Sequence, residues 1–570
     1  MRLNPGGTCA SNPPGVASLT EPNTQGNELP TADCYPITVV PGLSRLFLDY
    51  CAGNASVRPF YASLPPESGW SAAADGRPVP AHWPELVQLL AEQNPPSTAR
   101  GGAAEAALAA LSQGAGAVVT GQQVGLFGGP LFTPFKAATA VARAHQATAA
   151  GHPHAAVFWL ATEDHDFAEI NHVTFPDGDV SRKLIYSAAP DVPRPVGGIV
   201  LGDEIVSLVE QAGQLVYEDS LEALTAAWRP GRTFAQAFAD FYSKVFASQG
   251  LLVLDASGRA FHRMGASVLR AAIERADELH AALVERNGEL EAAGYHAQVA
   301  VVPHSSLLFL IDERDGARLA LKCHAPSVRE PNGLWQAGRQ SYATADLLGI
   351  LDTEPERISP SALLRPVFQD FLLSTSLMVG GPAEVAYFAQ SAVLYERILG
   401  RQTPIRPRFS ATLIAPATGS YLRKYELTLD RVFGQSADSL AHSLAARAMP
   451  VEGKQRLAAA GNALDVELSA LLKWMHELDA GLGRSSETAA SKMRYQMNRM
   501  RRLAANFQLQ RETKLGRHAE EIVNALYPGG VLQERVYGAA YYFMVYGSGL
   551  AEELTAQAAN RCPGHTALWL

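Results

Sequence analysis

Two short apolar runs, AVVTG at 117–121 and AAVFWLA at 155–161, flank one helical stretch rich in small residues, LFTPFKAATAVARAHQATAAG. Strands that are apolar on both faces are what a parallel sheet shows when helices cover both its sides. Strand, loop, helix and strand make a βαβ unit, so an α/β fold with a doubly wound core is the first expectation. The loop after the first strand belongs to TGQQVGLFGGP, residues 120–130, which holds four glycines and two adjacent glutamines.

A chain of 570 residues is too long for one core, and 47% apolar residues is ample for globular folding. The net charge of -9 lacks the basic footprint of a duplex-binding protein, so nucleic acid is not an expected partner. No stretch reaches the roughly 18–20 apolar residues of a membrane-spanning helix, and no membrane association is expected. Five scattered cysteines without CxxC spacing suit a reducing cytoplasm better than a disulfide framework or a zinc site.

Composition divides the rest. Residues 1–30 read as a disordered leader rich in Pro, Gly, Ser, Thr and Asn. The core is expected in three parts, 31–171, 231–296 and 361–414, interrupted by insertions at 172–230 and 297–360 where short extended pieces and turns prevail. Within the third part, helices are expected near 361–378 and 382–399. From 415 to 527 proline nearly vanishes, and Leu457, Leu464, Val466, Leu468, Leu471 and Leu472 approximate a helical stripe. A long helical arm is expected there, an oligomerisation device or a lid, with 528–570 returning to the core.

Three clusters could carry chemistry. The loop matches neither standard phosphate motif, because Gln122 stands where a Walker A lysine belongs and no GxGxxG occurs. Its position still suits an anion: Thr120, Gly121, Gln122, Gln123 and Gly125 precede a helix N-terminus, and Lys136 could reach a phosphate. A plain structural turn with a surface lysine would show the same letters. Glu163-Asp164-His165-Asp166, with Glu169 behind, follows the second strand directly, where open α/β sheets bind ligands. These side chains could hold Mg²⁺ for a nucleotide or supply a general base, although acids also favour the first turn of any helix. His172 extends the cluster. The third cluster, Gly381, Glu384 and Tyr387, sits at a helix start, with Arg365 and the basic run Arg401, Arg406 and Arg408 nearby. Cys323 and His324 are adjacent on a strand, point to opposite faces and make no dyad.

Taken together, VVTGQQVGLFGGPLFTPFKAATA, FWLATEDHDFAEINHVTF, LLRPVFQDFLLSTSLMVGGPAEVAYFAQ and QERVYGAAYYFMVYG resemble the BshC family, the cysteine ligases of bacillithiol biosynthesis, over roughly residues 31–548. The resemblance implies a Rossmann-like core, likened to class I nucleotidyltransferases, with two connecting-peptide insertions and a coiled-coil arm through which a homodimer forms. It also implies a reaction in which L-cysteine is joined to glucosaminyl malate in the cytoplasm. ATP would activate the carboxylate, with ADP or AMP as product, and a nucleotide site beside the arm is implied without assigned residues. Asp164, His165 or Asp166 would then deprotonate the incoming ammonium, and the glycine loop with Lys136 would hold phosphate or the activated carboxylate. The HIGH histidines of class I nucleotidyltransferases are absent, GGPLFTPFK standing instead. A nucleotidyltransferase for another metabolite and a non-catalytic metabolite-binding assembly protein are the alternative readings.

Overall fold

The computed structural model describes residues 17–18, 32–63, 79–95, 102–216, 222–324, 334–547, 549–560 and 562–570. Of the expected leader only Ala17 and Ser18 are described, paired antiparallel with Cys34 and Asp33, and the rest lies outside the described residues. Two compact units emerge. The larger takes in the chain up to Phe175, then Arg182–Thr412 and Glu534–Ala567; the smaller takes Pro176–Ser181, Leu413–Gln533 and Leu568–Leu570.

The larger unit is built on strands β1 (Gly116–Gln122), β2 (His154–Leu160) and β3 (Leu252–Asp255), which pair in parallel. Helix α1 (Phe132–Ala149) makes the crossover from β1 to β2, and its alanines, Ala137, Ala138 and Ala140, are fully buried because small side chains let it lie close on the sheet. After β3 come helices α2 (Arg259–Met264) and α3 (Ala276–Ala292). The second insertion is a five-stranded antiparallel sheet of β4 (Ser305–Ile311), β5 (Arg318–His324), β6 (Leu334–Ala337), β7 (Gln340–Tyr342) and β8 (Ile358–Pro360), in the order β7-β6-β5-β4-β8. The first insertion opens with a two-stranded sheet, His172–Asp177 with Val180–Ile185, and continues into short helices.

Residues 361–378 depart from the helix expected there. Helix α4 covers only Arg365–Leu373, Ser374 turns left-handed at φ 44°, and Thr375–Gly380 forms β9, buried along its whole length. A short apolar run flanked by helix does not reveal its own period, so length and burial rather than pattern decide it. With β10 (Ile405–Pro407) at the edge, the parallel sheet runs β10-β9-β1-β2-β3, which makes the core Rossmann-like. Helix α5 (Pro382–Leu399) follows β9 directly. Thus β9, β1 and β2 lie side by side and discharge their carboxyl ends into one region.

In the smaller unit, α6 (Val451–Leu478) and α7 (Ala480–Arg511) form a coiled-coil hairpin turned by Asp479, whose side chain accepts from the backbone N–H of Leu482 at 2.8 Å. The expected stripe is corrected in part. The seam of α6 runs through Leu457, Gly461, Leu464, Leu468, Leu472 and Met475, a heptad-like spacing, while Val466 and Leu471 face outward at 66% and 45% exposure. At Gly461 the Arg501 guanidinium of α7 lies where a Cβ would stand.

The expectation of unpaired cysteines is also corrected. Cys34 and Cys562 form a disulfide with their Cα atoms 5.7 Å apart, while Cys51 and Cys323 are free. The two bonded cysteines are 528 residues apart and meet because strand Ala32–Tyr35 neighbours the C-terminal strand His565–Trp569, which local spacing cannot reveal. No helix among the described residues is long and apolar enough to cross a membrane.

Candidate active site

A cavity of about 490 Å³ opens beyond the carboxyl ends of β1, β2 and β9. Its walls gather all three sequence clusters: Gly121, Gln122 and Gln123; Glu163, Asp164, His165 and Glu169; Gly381, Glu384 and Tyr387. Lys136, Arg318, Arg365, Arg408 and Arg535 add five cations. Ligands bind open α/β sheets at this kind of place, outside the carboxyl ends of the strands.

Thr120 and Gly125 stand apart from it. Thr120 is buried and donates its hydroxyl to the Val379 carbonyl at 2.9 Å, tying β1 to β9. Gly125 packs on Gly129, so a Cβ there would press on backbone rather than a ligand. The glycine loop turns inward: Phe127 is fully buried at φ 51°, Gly128 has φ 84°, and a Cβ on Gly128 would strike Phe241. Its second half serves chain packing, and its first three residues, Thr120–Gln122, end strand β1.

Lys136 sits in the first turns of α1 with 4% of its side chain exposed. Its ammonium donates to the Gly121 carbonyl at 2.9 Å and to Gln122 Oε1 at 2.7 Å, and pairs with Glu384 Oε2 at 2.5 Å. An ammonium has three N–H donors, and all three are engaged. Burial pulls its pKa below the usual range, against the pull of Glu384 in the opposite direction. Glu384 also accepts from the Gly381 backbone N–H at 2.6 Å, closing the start of α5. Lys136 therefore joins β1, α1 and α5 rather than standing free for an anion. Arg408 is likewise occupied, in a buried bidentate pair with Glu534. Arg365 donates to the Tyr387 hydroxyl at 2.8 Å, and among the described residues neither Arg365 nor Arg535 has a carboxylate within ion-pair distance. With Arg318, which likewise pairs with no carboxylate among the described residues, these guanidiniums are the cations left to meet an anion.

The acidic cluster separates into distinct roles. Asp164 accepts from Gln123 Nε2 at 2.6 Å and from the His165 backbone N–H at 2.7 Å. Burial alone would raise its carboxyl, yet these hydrogen bonds and Arg318 together hold it below the ordinary range. Gln123 also reaches Glu169 at 2.7 Å, so one amide bridges two acids. Asp166 caps the short helix Phe167–Ile170 by accepting from Glu169 N, and it does not line the cavity. His172 lies outside as well, its Nδ1 facing the Ala168 carbonyl at 3.1 Å.

Arg318, on β5 of the second insertion, was invisible to local pattern and proves central. Its guanidinium lies 3.7 Å over the Phe309 ring, donates to Ser359 Oγ and the Pro360 carbonyl, and reaches His165 Nδ1 at 3.1 Å. Arginine only donates, so Nδ1 accepts, and a neutral His165 carries its proton on Nε2. His262 on α2 is the second missed residue. It is fully buried, donates Nδ1–H to the Ile358 carbonyl at 2.9 Å, and places Nε2 2.9 Å from Glu163 Oε1. Burial lowers its pKa, but the charge and hydrogen bond of Glu163, the Ile358 carbonyl and Glu356 together outweigh that, and the net shift is upward. Among the described residues no group of three or more His, Cys, Asp or Glu is arranged to hold a metal ion.

The smaller unit contains a separate cavity of about 500 Å³ that gathers Lys424, Arg447, Arg511 and Lys514.

Two family models match the chain. The one described as "Bacillithiol biosynthesis BshC, N-terminal Rossmann-like domain" covers residues 32–409, and the C-terminal coiled-coil domain of the same description covers 411–568. A protein of Koribacter versatilis named "Putative cysteine ligase BshC" is 42% identical over 94% of this chain and 98% of its own length. Proteins of the same name from Solibacter usitatus and Salinibacter ruber are 32% and 30% identical, over 93% and 91% of this chain and 98% and 95% of theirs.

Proposed function

The chain belongs to the BshC family, and from that premise we propose that it is a carbon–nitrogen ligase joining the carboxyl group of L-cysteine to the amine of glucosaminyl malate, giving bacillithiol. One observation carries the reading: three clusters far apart in sequence converge on one crevice at the strand ends, lined by hydrogen-bonded carboxylates and by guanidiniums without an ion-pair partner among the described residues.

Forming an amide from a carboxylate is uphill in water, so the carboxylate is activated at the expense of ATP. Arg365 and Arg535 meet the anionic groups and stabilise charge as it develops on them. Neutral His165, held by Arg318 with its proton on Nε2, offers an N–H donor to an oxygen of the activated carboxyl group. The acceptor amine reacts only after losing a proton, and Glu163 takes it, with the buried His262 behind it. Asp164, whose hydrogen bonds and Arg318 hold its carboxyl below the ordinary range, is poorly suited to take up that proton. The cavity in the smaller unit, where four cations stand beside Glu426 and Glu512, is a separate place suited to the nucleotide that the family resemblance implies beside the arm, apart from the ATP consumed in the crevice.

Large apolar side chains on both arm helices remain exposed, among them Trp474 at 54% and Phe507 at 66%, and a second copy of the chain covers them in a homodimer. The reaction takes place in the cytoplasm, where the Cys34–Cys562 pair can exchange with the thiol pool. The test is incubation of the purified protein with ATP, L-cysteine and glucosaminyl malate, followed by mass spectrometry. Bacillithiol together with ADP or AMP is the expected result. Calorimetric binding of all three without any product would refute the reading.

A further inference from the structure

A second cavity in the larger unit, about 440 Å³, lies between the antiparallel insertion sheet and α3, and it shares Phe309, Ser361 and Ala362 with the crevice as a common wall. The rest of its floor is largely apolar, with Leu283, Val301 and Leu363 among the lining side chains. Its ionisable lining is one-sided: the cation Lys322 and the imidazoles of His280, His304 and His324 line it, and no Asp or Glu among the described residues does. The imidazoles of His304 and His324 adjoin, with centroids 4.7 Å apart and the planes tilted by 32°.

The backbone is bent to place them. His304 holds φ 65°, a left-handed conformation that a histidine adopts only at a cost. The turn is fixed on both sides, by Ser305 N donating to the Val302 carbonyl at 3.1 Å and by Cys323 N donating to the His304 carbonyl at 2.9 Å. The second of these bonds ties His304 to β5, the strand that also presents Lys322 and His324. Nδ1 of His280 faces the Ser305 carbonyl at 3.2 Å and donates there, which leaves its Nε2 for another partner. Local strain held by surrounding structure, beside a cavity lined by cation-capable groups alone, marks a site built to receive an anion.

We propose that this cavity binds the carboxylate-bearing end of the acceptor, a small dicarboxylic group, while the amine of the same molecule reaches past the partly buried Phe309, which lines both cavities, into the crevice. The proposal rests on the ligase reading above. It assigns the cavity to the acceptor rather than to the nucleotide because guanidiniums, the usual bidentate partners of phosphate, line the crevice and the smaller unit but not this floor. A neutral sugar carrying an amine but no acid would fill the crevice and leave the second cavity empty.

The experiment compares wild type with the double variant Lys322→Gln, His324→Gln, whose side chains are at least part-exposed and lie outside the crevice. In steady-state assays the KM for glucosaminyl malate should rise about tenfold or more, with KM for L-cysteine and ATP and the kcat each within about twofold of wild type. Glucosamine offered as the acceptor should be used equally poorly by both proteins. An unchanged acceptor KM, or a rise in the KM for ATP instead, overturns the assignment. If wild type shows no turnover, the ligase reading fails separately, and calorimetric titration with L-malate decides the cavity. Binding to wild type that is lost in the double variant supports it; equal or absent binding in both overturns it.

Discussion

Lys136 and His165 show what residue type leaves undetermined. A lysine after a glycine loop suggests a phosphate ligand, but its three donors are engaged by Gly121, Gln122 and Glu384, so its work is structural. Lys136→Met should cost about 3–5 kcal/mol of stability, because it strands a nearly buried Glu384 carboxylate; chemical denaturation measures this, and a loss below about 1 kcal/mol would show that the pair is dispensable. His165→Ala should leave the melting curve nearly unchanged, the side chain being one-third exposed, and lower kcat by about 10²–10³-fold as a lost hydrogen-bond donor. Near-normal turnover in that variant removes His165 from the chemistry. The acidic cluster was legible in the sequence because a fully apolar strand ends abruptly in Glu-Asp-His-Asp. Arg318 and His262 were not, since each arrives from a distant element and looks locally like an ordinary charge on a strand or helix.

At the scale of elements, period and composition revealed what could show a period. The βαβ unit and the long helices were readable because small residues, apolar runs and missing prolines act over many positions. Strand β9 was not, because six residues between two helices carry too little pattern, and only Ser374 in its left-handed turn separates it from α4. The arm stripe was read in outline, while Val466 and Leu471 proved to face away from the hairpin seam. Their exposure, with that of Trp474 and Phe507, leads to the dimer expected above. Trp474→Glu combined with Phe507→Glu should convert a dimer to a monomer in sedimentation velocity while the helical signal in circular dichroism persists. A wild-type chain that sediments as a monomer at micromolar concentration would refute arm-mediated pairing.

At the scale of the whole molecule, one buried ring makes the fold sensitive to acid. His565 lies between the Ser410 and Thr412 hydroxyls, at 2.9 and 2.8 Å, and burial pushes its pKa down to about 4, with Glu534 opposing and Arg408 assisting the shift. An unfolded histidine titrates near 6.5, so the unfolded chain takes up the proton first as pH falls. The stability owed to a neutral His565 is complete above about pH 6.5 and drains away toward pH 4, on the order of 3 kcal/mol in all. Denaturation midpoints measured across that window should slope less in His565→Gln than in wild type, and equal slopes would remove His565 as the cause. The closure of the molecule near the same strand was the least legible feature, because the partners of Cys34–Cys562 lie at opposite ends of the sequence. It makes the intervening chain a covalent ring. A protease that cuts once between Cys34 and Cys562, at the arm turn for instance, leaves a single body on a gel without reductant, and two fragments separate only when the bond is reduced.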